Sequence, residues 1–121
     1  MKKIKFYEHP SYIGCANELP KSDKRIPIFK EQFEKYGFDD SCTWSLDYSI
    51  VKFILPRLKR YYELADEVIK IDAHEGFREA IEVMIEGFEI FLTKNFPTKE
   101  ENEKIQLAYD MLAKYHRGLW W

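Results

Sequence analysis

Apolar residues recur at helical spacing over much of the chain, most clearly in residues 72–92. Repeats of three and four positions predict an amphipathic helix here with one continuous apolar face. Asp72 and Glu75 have the spacing of a capping box, so the helix is predicted to begin at Asp72. The predicted inner face consists of Phe77, Ala80, Ile81, Met84, Ile85, Phe88 and Phe91.

A second capping box, Thr98 and Glu101, predicts another helix that runs to about residue 117. Its chain continues into Trp120 and Trp121, which are either buried in the monomer or a homo-oligomer, or exposed as an interface anchor. Burial is the simpler interpretation. The predicted inner face consists of Ile105, Ala108, Leu112, Tyr115 and Leu119.

A third helix is predicted from Trp44 onward, preceded by polar residues that suit a helix N-cap. Pro56 interrupts it, but the apolar phase continues, so one bent helix is favoured over two. A short helix is predicted over residues 27–36, with Pro27 at its first position and Gly37 at its end. The long helix has an inner face of Trp44, Val51, Ile54, Leu58, Tyr61 or Tyr62, and Ala65.

The first 26 residues lack a helical period, and two X-Pro steps interrupt them. Residues 3–9 alternate weakly, which fits a short strand or an extended arm. The pattern as a whole predicts a mainly α protein, a compact bundle of three to four helices with an irregular N-terminal arm. We expect one domain overall, with the arm at 1–26 and the helical part at 27–121.

Charge is unevenly distributed, although the net charge is only −2. Residues 1–37 hold eight Lys and Arg against five Asp and Glu, whereas residues 72–101 hold three against eight. Direct nucleic-acid binding is therefore not expected. Cys15 and Cys42 have no metal or redox spacing, and neither a signal peptide nor a membrane-spanning run is evident. These features predict a cytoplasmic protein without disulfides that does not bind membranes.

Five glutamates on the clearest helix form what we call the acidic stripe. Their spacings of 4, 3, 4 and 3 place them on one side of that helix, where like charges repel each other weakly. Arg78 is the single cation among them. A solvated helix face is the simpler explanation, and a surface that meets a basic partner protein is the alternative. The stripe consists of Glu75, Glu79, Glu82, Glu86 and Glu89.

A second candidate site lies on the long helix, where cations and aromatic rings are interleaved. Asp47 is predicted on the apolar face, where an unpaired charge is costly, so we expect a fixed partner such as Arg57 or a Trp indole. Such a group would suit a nucleotide-like ligand, although structural anchoring explains it more simply. The candidate ligand-binding residues are Trp44, Asp47, Arg57, Arg60 and Tyr61.

No catalytic motif is recognisable in the sequence. Asp39, Asp40 and Asp47 could carry acid–base or metal chemistry, but the first two are more simply helix-entry residues. The three histidines lie on separate segments without zinc spacing. We therefore predict a non-enzymatic protein without catalytic residues, metal or cofactor.

The strings YGFDDSCTWSLDYSIVKFILPRLKRY, MIEGFEIF and LAYDMLAKYHRGLW resemble a group of small phage and prophage proteins of unassigned function. The likeness covers about residues 36–121 and centres on a W-x-L-D-x-x-I motif followed by F-I-x-P-R-L-K. It implies action inside a bacterial host. We expect a counter-defence inhibitor that contacts a host protein through the acidic stripe. The alternative is a small-molecule binder that sequesters a nucleotide-like signal, and a homo-oligomer is compatible with both. The motif positions are Trp44, Leu46, Asp47, Ile50, Phe53, Ile54, Pro56, Arg57, Leu58 and Lys59, then Met84, Ile85, Phe88 and Glu89, then Leu119 and Trp120.

Overall fold

A computed structural model describes residues 4–65 and 76–119 of the chain. Over these residues the structure contains four α-helices and no strand, which confirms the predicted mainly α class. Short 3-10 turns precede the first helix, link it to the second, and follow the last. The helices are α1 (Arg25–Tyr36), α2 (Leu46–Leu64), α3 (Phe77–Thr93) and α4 (Lys99–Tyr115).

Internal contacts divide the chain into two compact units, Met1–Phe53 and Ile54–Trp121. The division falls within α2, so the first unit contains the N-terminal arm, α1 and the start of α2. The second unit contains the rest of α2 with α3 and α4. The predicted single-domain organisation, with its boundary after residue 26, stays a prediction.

The N-terminal arm forms turns, and the predicted short strand is wrong. Phe6–Glu8 is a 3-10 turn in which the Glu8 amide donates to the Lys5 carbonyl over 2.9 Å. In the described residues no neighbouring strand can pair with this segment, so its backbone groups form hydrogen bonds within a local turn. The Phe6 ring then lies 5.3 Å from the Phe33 ring of α1, measured between centroids. The arm is therefore irregular, as predicted, but packed on α1.

A buried carboxylate ties the arm to the 3-10 turn at Asp40–Thr43. Asp39 is only 1% exposed and accepts hydrogen bonds from the Tyr12 hydroxyl at 2.7 Å and the Ser41 amide at 2.8 Å. The Ser41 hydroxyl also donates to it, and the Cys15 amide donates to the Ser41 hydroxyl at 2.9 Å. Burial raises the pKa of the Tyr12 hydroxyl above its ordinary value. We call Tyr12, Asp39 and Ser41 the buried polar hub.

The ends of α1 and α2 differ in part from the predicted ones. α1 begins two residues early, which places Pro27 third, where a missing amide still costs no helical hydrogen bond. Gly37 ends α1 as predicted, with a left-handed φ of 81° and its amide donating to the Phe33 carbonyl. α2 passes Pro56 as one helix, which confirms the preference for one helix over two. The expected bend there stays a prediction.

In the second unit, α3 packs closely on α4. α3 begins at Phe77, after Gly76 in a left-handed conformation, and not at Asp72, so the predicted start is wrong. Asp72 and Glu75 lie outside the described residues, as do Trp120 and Trp121. The predicted capping box of α4 is confirmed, because the Glu101 amide and the Thr98 hydroxyl are 3.1 Å apart and the reciprocal bond is also present. The buried residues of α3 are Phe77, Ala80, Ile81, Met84, Gly87 and Phe88.

α3 and α4 approach each other closely at Gly87. A Cβ placed there would lie 2.5 Å from the Ala108 Cβ and 2.5 Å from the Lys104 carbonyl oxygen on α4. Both distances are well inside van der Waals contact, so the crossing requires glycine at this position. The predicted inner face of α3 is correct in its large apolar residues, and the sequence pattern gave no sign of this contact.

Candidate functional site

The acidic stripe is exposed along α3, with one of its five positions outside the described residues. Glu79, Glu82, Glu86 and Glu89 are all solvent-exposed, as predicted from their spacing, and Glu75 is the position not described. The structure thus keeps four carboxylates on one accessible side of α3. The sequence pattern did not predict the partners that these carboxylates have on other helices.

Neighbouring helices supply partners to three of these carboxylates. Lys59 of α2 forms an ion pair with Glu89, and Lys104 of α4 contacts Glu86 at 2.8 Å. The Tyr62 hydroxyl donates to Glu82 at 2.5 Å, and this hydrogen bond raises the pKa of Tyr62. Relief of the like charges in the stripe therefore comes from side chains on α2 and α4.

These partners change how the stripe can be tested. Exposed ion pairs of this kind contribute only about 0–1 kcal/mol each, so they add little stability. Charge reversal at Glu86 would nevertheless face Lys104 with a second cation and disturb the packing of α3 on α4. A loss of binding in such a variant would not distinguish a partner surface from an internal contact.

The second candidate site is divided between the two units. Trp44 and Asp47 belong to the first unit, whereas Arg57, Arg60 and Tyr61 belong to the second. Arg57 and Arg60 are exposed, and Arg60 pairs with Glu63 one turn along at 2.9 Å. The half-buried Tyr61 packs against the core of the second unit, and burial raises its pKa. Tyr61 is therefore a core-facing residue in the structure.

Asp47 and Trp44 are both exposed, which corrects their predicted place on a buried face. Asp47 lies in the first turn of α2, where water and the positive end of the helix stabilise its charge. Trp44 precedes α2, which begins at Leu46, so the helical phase used to assign its face does not extend to it. Its side chain, 47% exposed, packs edge-on against Phe29 at 5.5 Å, and the Arg25 guanidinium lies 5.3 Å from the ring centre.

The first unit exposes a run of large apolar side chains that are named above as motif positions but not as candidate binding residues. Leu46, Ile50 and Phe53 are 54%, 52% and 51% exposed, and their spacing of four and three places them on one side of α2. We call these three the α2 apolar face. Ser49 on the same helix is buried and donates to the Cys42 carbonyl at 2.7 Å. In this turn the small polar residue packs inward and the large apolar residues face solvent.

In the described residues, every buried side-chain nitrogen or oxygen atom has a hydrogen-bond partner. Both cysteines are free thiols, and burial raises the pKa of each. Within residues 4–65 and 76–119 no three His, Cys, Asp or Glu side chains are placed to hold a metal ion. Over the same residues no helix combines the length and apolarity required to cross a bilayer.

No protein-family model matches the chain, and no curated protein or solved structure shows detectable similarity to it.

Proposed function

We propose that this chain is a phage-derived, non-enzymatic protein that binds a host protein inside a bacterial cell and inhibits a defence system by that contact. The α2 apolar face is the binding surface. The phage origin and the defence role rest on the sequence resemblance, and one observation carries the choice of surface: three large apolar side chains, each about half exposed, share one side of α2. Single exposed apolar residues are ordinary on a protein surface, whereas a contiguous set at helical spacing marks an interaction site.

The spacing of this face supports a helix-in-groove contact with the partner. Helices that dock into a groove present anchors at positions i, i+4 and i+7, which is the arrangement of Leu46, Ile50 and Phe53. The partner is therefore a host protein with an apolar groove wide enough for one helix. Asp47 and Lys52 on the same turns would lie at the rim of such a groove, where charged side chains remain hydrated.

Burial of this face contributes part of the free energy that specific binding requires. Full burial of a Leu, Ile or Phe side chain contributes about 1.5–3 kcal/mol. Since each of the three side chains is about half exposed, its burial by a partner would contribute about half of that amount. The three positions together supply about 2–4 kcal/mol. Trp44 and Ile28, which are 47% and 54% exposed, are further exposed apolar residues of the same unit.

The acidic stripe is the weaker candidate for this contact. Glu82, Glu86 and Glu89 already have partners on α2 and α4, so a basic partner surface would compete with Lys59 and Lys104. Their desolvation would also oppose binding. The α2 apolar face carries no such cost, because its side chains gain by leaving water.

The test compares Ile50→Asp with a matched control, Leu107→Asp on α4. Both residues are exposed aliphatic side chains in helices, 52% and 44% exposed, so each substitution should leave the fold intact by circular dichroism. Tagged wild-type and variant proteins are incubated with host lysate, and bound proteins are quantified by mass spectrometry. The enriched protein is then purified and its Kd is measured by calorimetry.

The proposal predicts one host protein that wild type and Leu107→Asp enrich equally and that Ile50→Asp loses. With the purified partner, Ile50→Asp should weaken the Kd at least tenfold. Equal enrichment by both variants would overturn the α2 apolar face as the surface. A wild-type dimer in sedimentation equilibrium that Ile50→Asp dissociates would instead assign this face to a second copy of the chain, and would also overturn the proposal.

A further inference from the structure

A cleft of about 660 Å³ opens in the first unit, between the N-terminal arm and α1. Its volume falls in the range of small-molecule sites in proteins, about 300–1,000 Å³. The rings of Phe6 and Phe33, with centroids 5.3 Å apart, line it together with Ile26 and Pro27 at the start of α1. The arm contributes Ile4, which is 54% exposed. The lining is thus mainly apolar.

Charged side chains around this apolar lining are mostly positive. Lys5, Lys21 and Lys30 border the cleft, and Glu34 is the one acidic residue among its lining residues. All four are exposed, so the lysine ammonium groups can move toward a ligand at the mouth. The Lys5 ammonium lies 5.7 Å from the centre of the ring of Tyr7, which also lines the cleft. A ligand here meets an apolar interior and a net positive rim.

We propose that this cleft binds a single-tailed carboxylate amphiphile of the fatty-acid class, with the tail along the apolar lining that includes Phe6 and Phe33 and the carboxylate toward the lysines. The lining offers few neutral hydrogen-bonding groups, whereas a nucleotide base requires several to be recognised by its edges. A carboxylate on an apolar chain matches both the apolar lining and the positive rim. The cleft is separate from the α2 apolar face, so this inference does not depend on the proposed function.

The experiment is calorimetric titration of the whole chain at 0.15 M salt, with ligands below their aggregation concentrations. Octanoate, nonanoate and decanoate test the tail, because each buried methylene should lower the Kd about fourfold. Three further compounds test the head group: 1-octanol, octyltrimethylammonium and AMP. We expect binding to tighten about fifteenfold from octanoate to decanoate, and octanoate to bind more tightly than all three comparison compounds.

Two variants in the cleft and one control variant outside it locate the site. Lys21→Glu/Lys30→Glu reverses two rim charges and should weaken decanoate binding at least tenfold. The control, Lys24→Glu/Lys35→Glu, makes the same change in net charge on exposed residues that do not line the cleft, and should change the Kd less than threefold. Ile4→Asp alters an exposed part of the lining without touching the core and should also weaken binding tenfold.

Each contrary result would overturn the inference. A Kd that does not change with tail length would exclude the apolar lining, and octyltrimethylammonium binding as tightly as octanoate would exclude the lysine rim. AMP binding more tightly than octanoate would replace the ligand class with a nucleotide. Equal affinities in the cleft double variant and its control would place the ligand elsewhere, and unchanged binding by Ile4→Asp would do the same.

Discussion

Replacing Gly87 with alanine tests how closely α3 and α4 approach each other. In an ordinary helix interior, Gly→Ala stabilises a protein by about 0.5–1 kcal/mol, because alanine loses less backbone entropy on folding. Here the new methyl would lie 2.5 Å from the Ala108 Cβ and 2.5 Å from the Lys104 carbonyl oxygen. Neither contact is the end of a flexible side chain, so the helices themselves must separate.

The two effects oppose each other, and the steric effect is larger. Forcing a methyl group into a well-packed contact costs about 1–3 kcal/mol. Since neither neighbour can rotate away, the steric cost lies in the upper part of this range, about 2–3 kcal/mol. After the gain in helix propensity is subtracted, Gly87→Ala should lower the free energy of unfolding by about 1–2 kcal/mol. With a urea m-value of about 2 kcal/mol/M, the midpoint should fall by about 0.5–1 M.

Urea unfolding followed by far-UV circular dichroism measures this change in wild type, both single variants and the double variant Gly87→Ala/Ala108→Gly. Removing the Ala108 methyl should make the Gly87→Ala substitution less costly, with a coupling of about 0.5 kcal/mol or more. Recovery should be incomplete because the Lys104 carbonyl oxygen remains in place. A Gly87→Ala variant that is more stable than wild type would refute the close crossing of α3 and α4.

The buried polar hub carries two further predictions. Asp39→Ala should lower the free energy of unfolding by about 2–4 kcal/mol, because it leaves the buried Ser41 amide without its acceptor. The control, Asp40→Ala at the exposed neighbour, should lower it by less than about 1 kcal/mol in the same urea assay. Equal losses in the two variants would contradict the buried polar hub. The pKa of Tyr12 is raised on folding, so its contribution to stability is complete below its unfolded pKa of about 10 and is lost as the pH rises further. Urea midpoints measured from pH 8 to 11 should therefore fall less steeply above pH 10 in Tyr12→Phe than in wild type, and identical slopes would count against the assigned burial.

The sequence was informative where a pattern is local. The inner face of α3 and the capping box at Thr98 and Glu101 could be predicted, because a helix repeats every 3.6 residues and a cap spans only three. The left-handed stop at Gly37 is local in the same way. Each depends on neighbours within one or two turns.

Contacts between distant segments could not be predicted from the pattern. Lys59 and Lys104, which relieve the acidic stripe, lie on other helices, and no spacing rule connects them to Glu86 or Glu89. Tyr12 reaches Asp39 across 27 residues for the same reason. Such pairs depend on how the helices pack, which a periodic pattern does not specify.

The predicted burial of Trp44 is wrong because the helical period of α2 does not extend past the start of the helix. The chain from Asp40 to Thr43 is a 3-10 turn and α2 begins only at Leu46, so Trp44 is not in phase with Val51. α2 also has apolar residues on more than one side, so a hydrophobic pattern alone does not show which side faces solvent. Burial decides it: Val51 is fully buried and Ile50 is 52% exposed.

The most direct test of the central claim is the ratio of two dissociation constants for the purified host partner. One is measured with Ile50→Asp on the α2 apolar face, and the other with Leu107→Asp on α4. The proposal predicts a ratio of at least ten, since a charge at position 50 would be forced into an apolar groove while position 107 stays in water. A ratio near one would contradict it and show that the partner binds another surface.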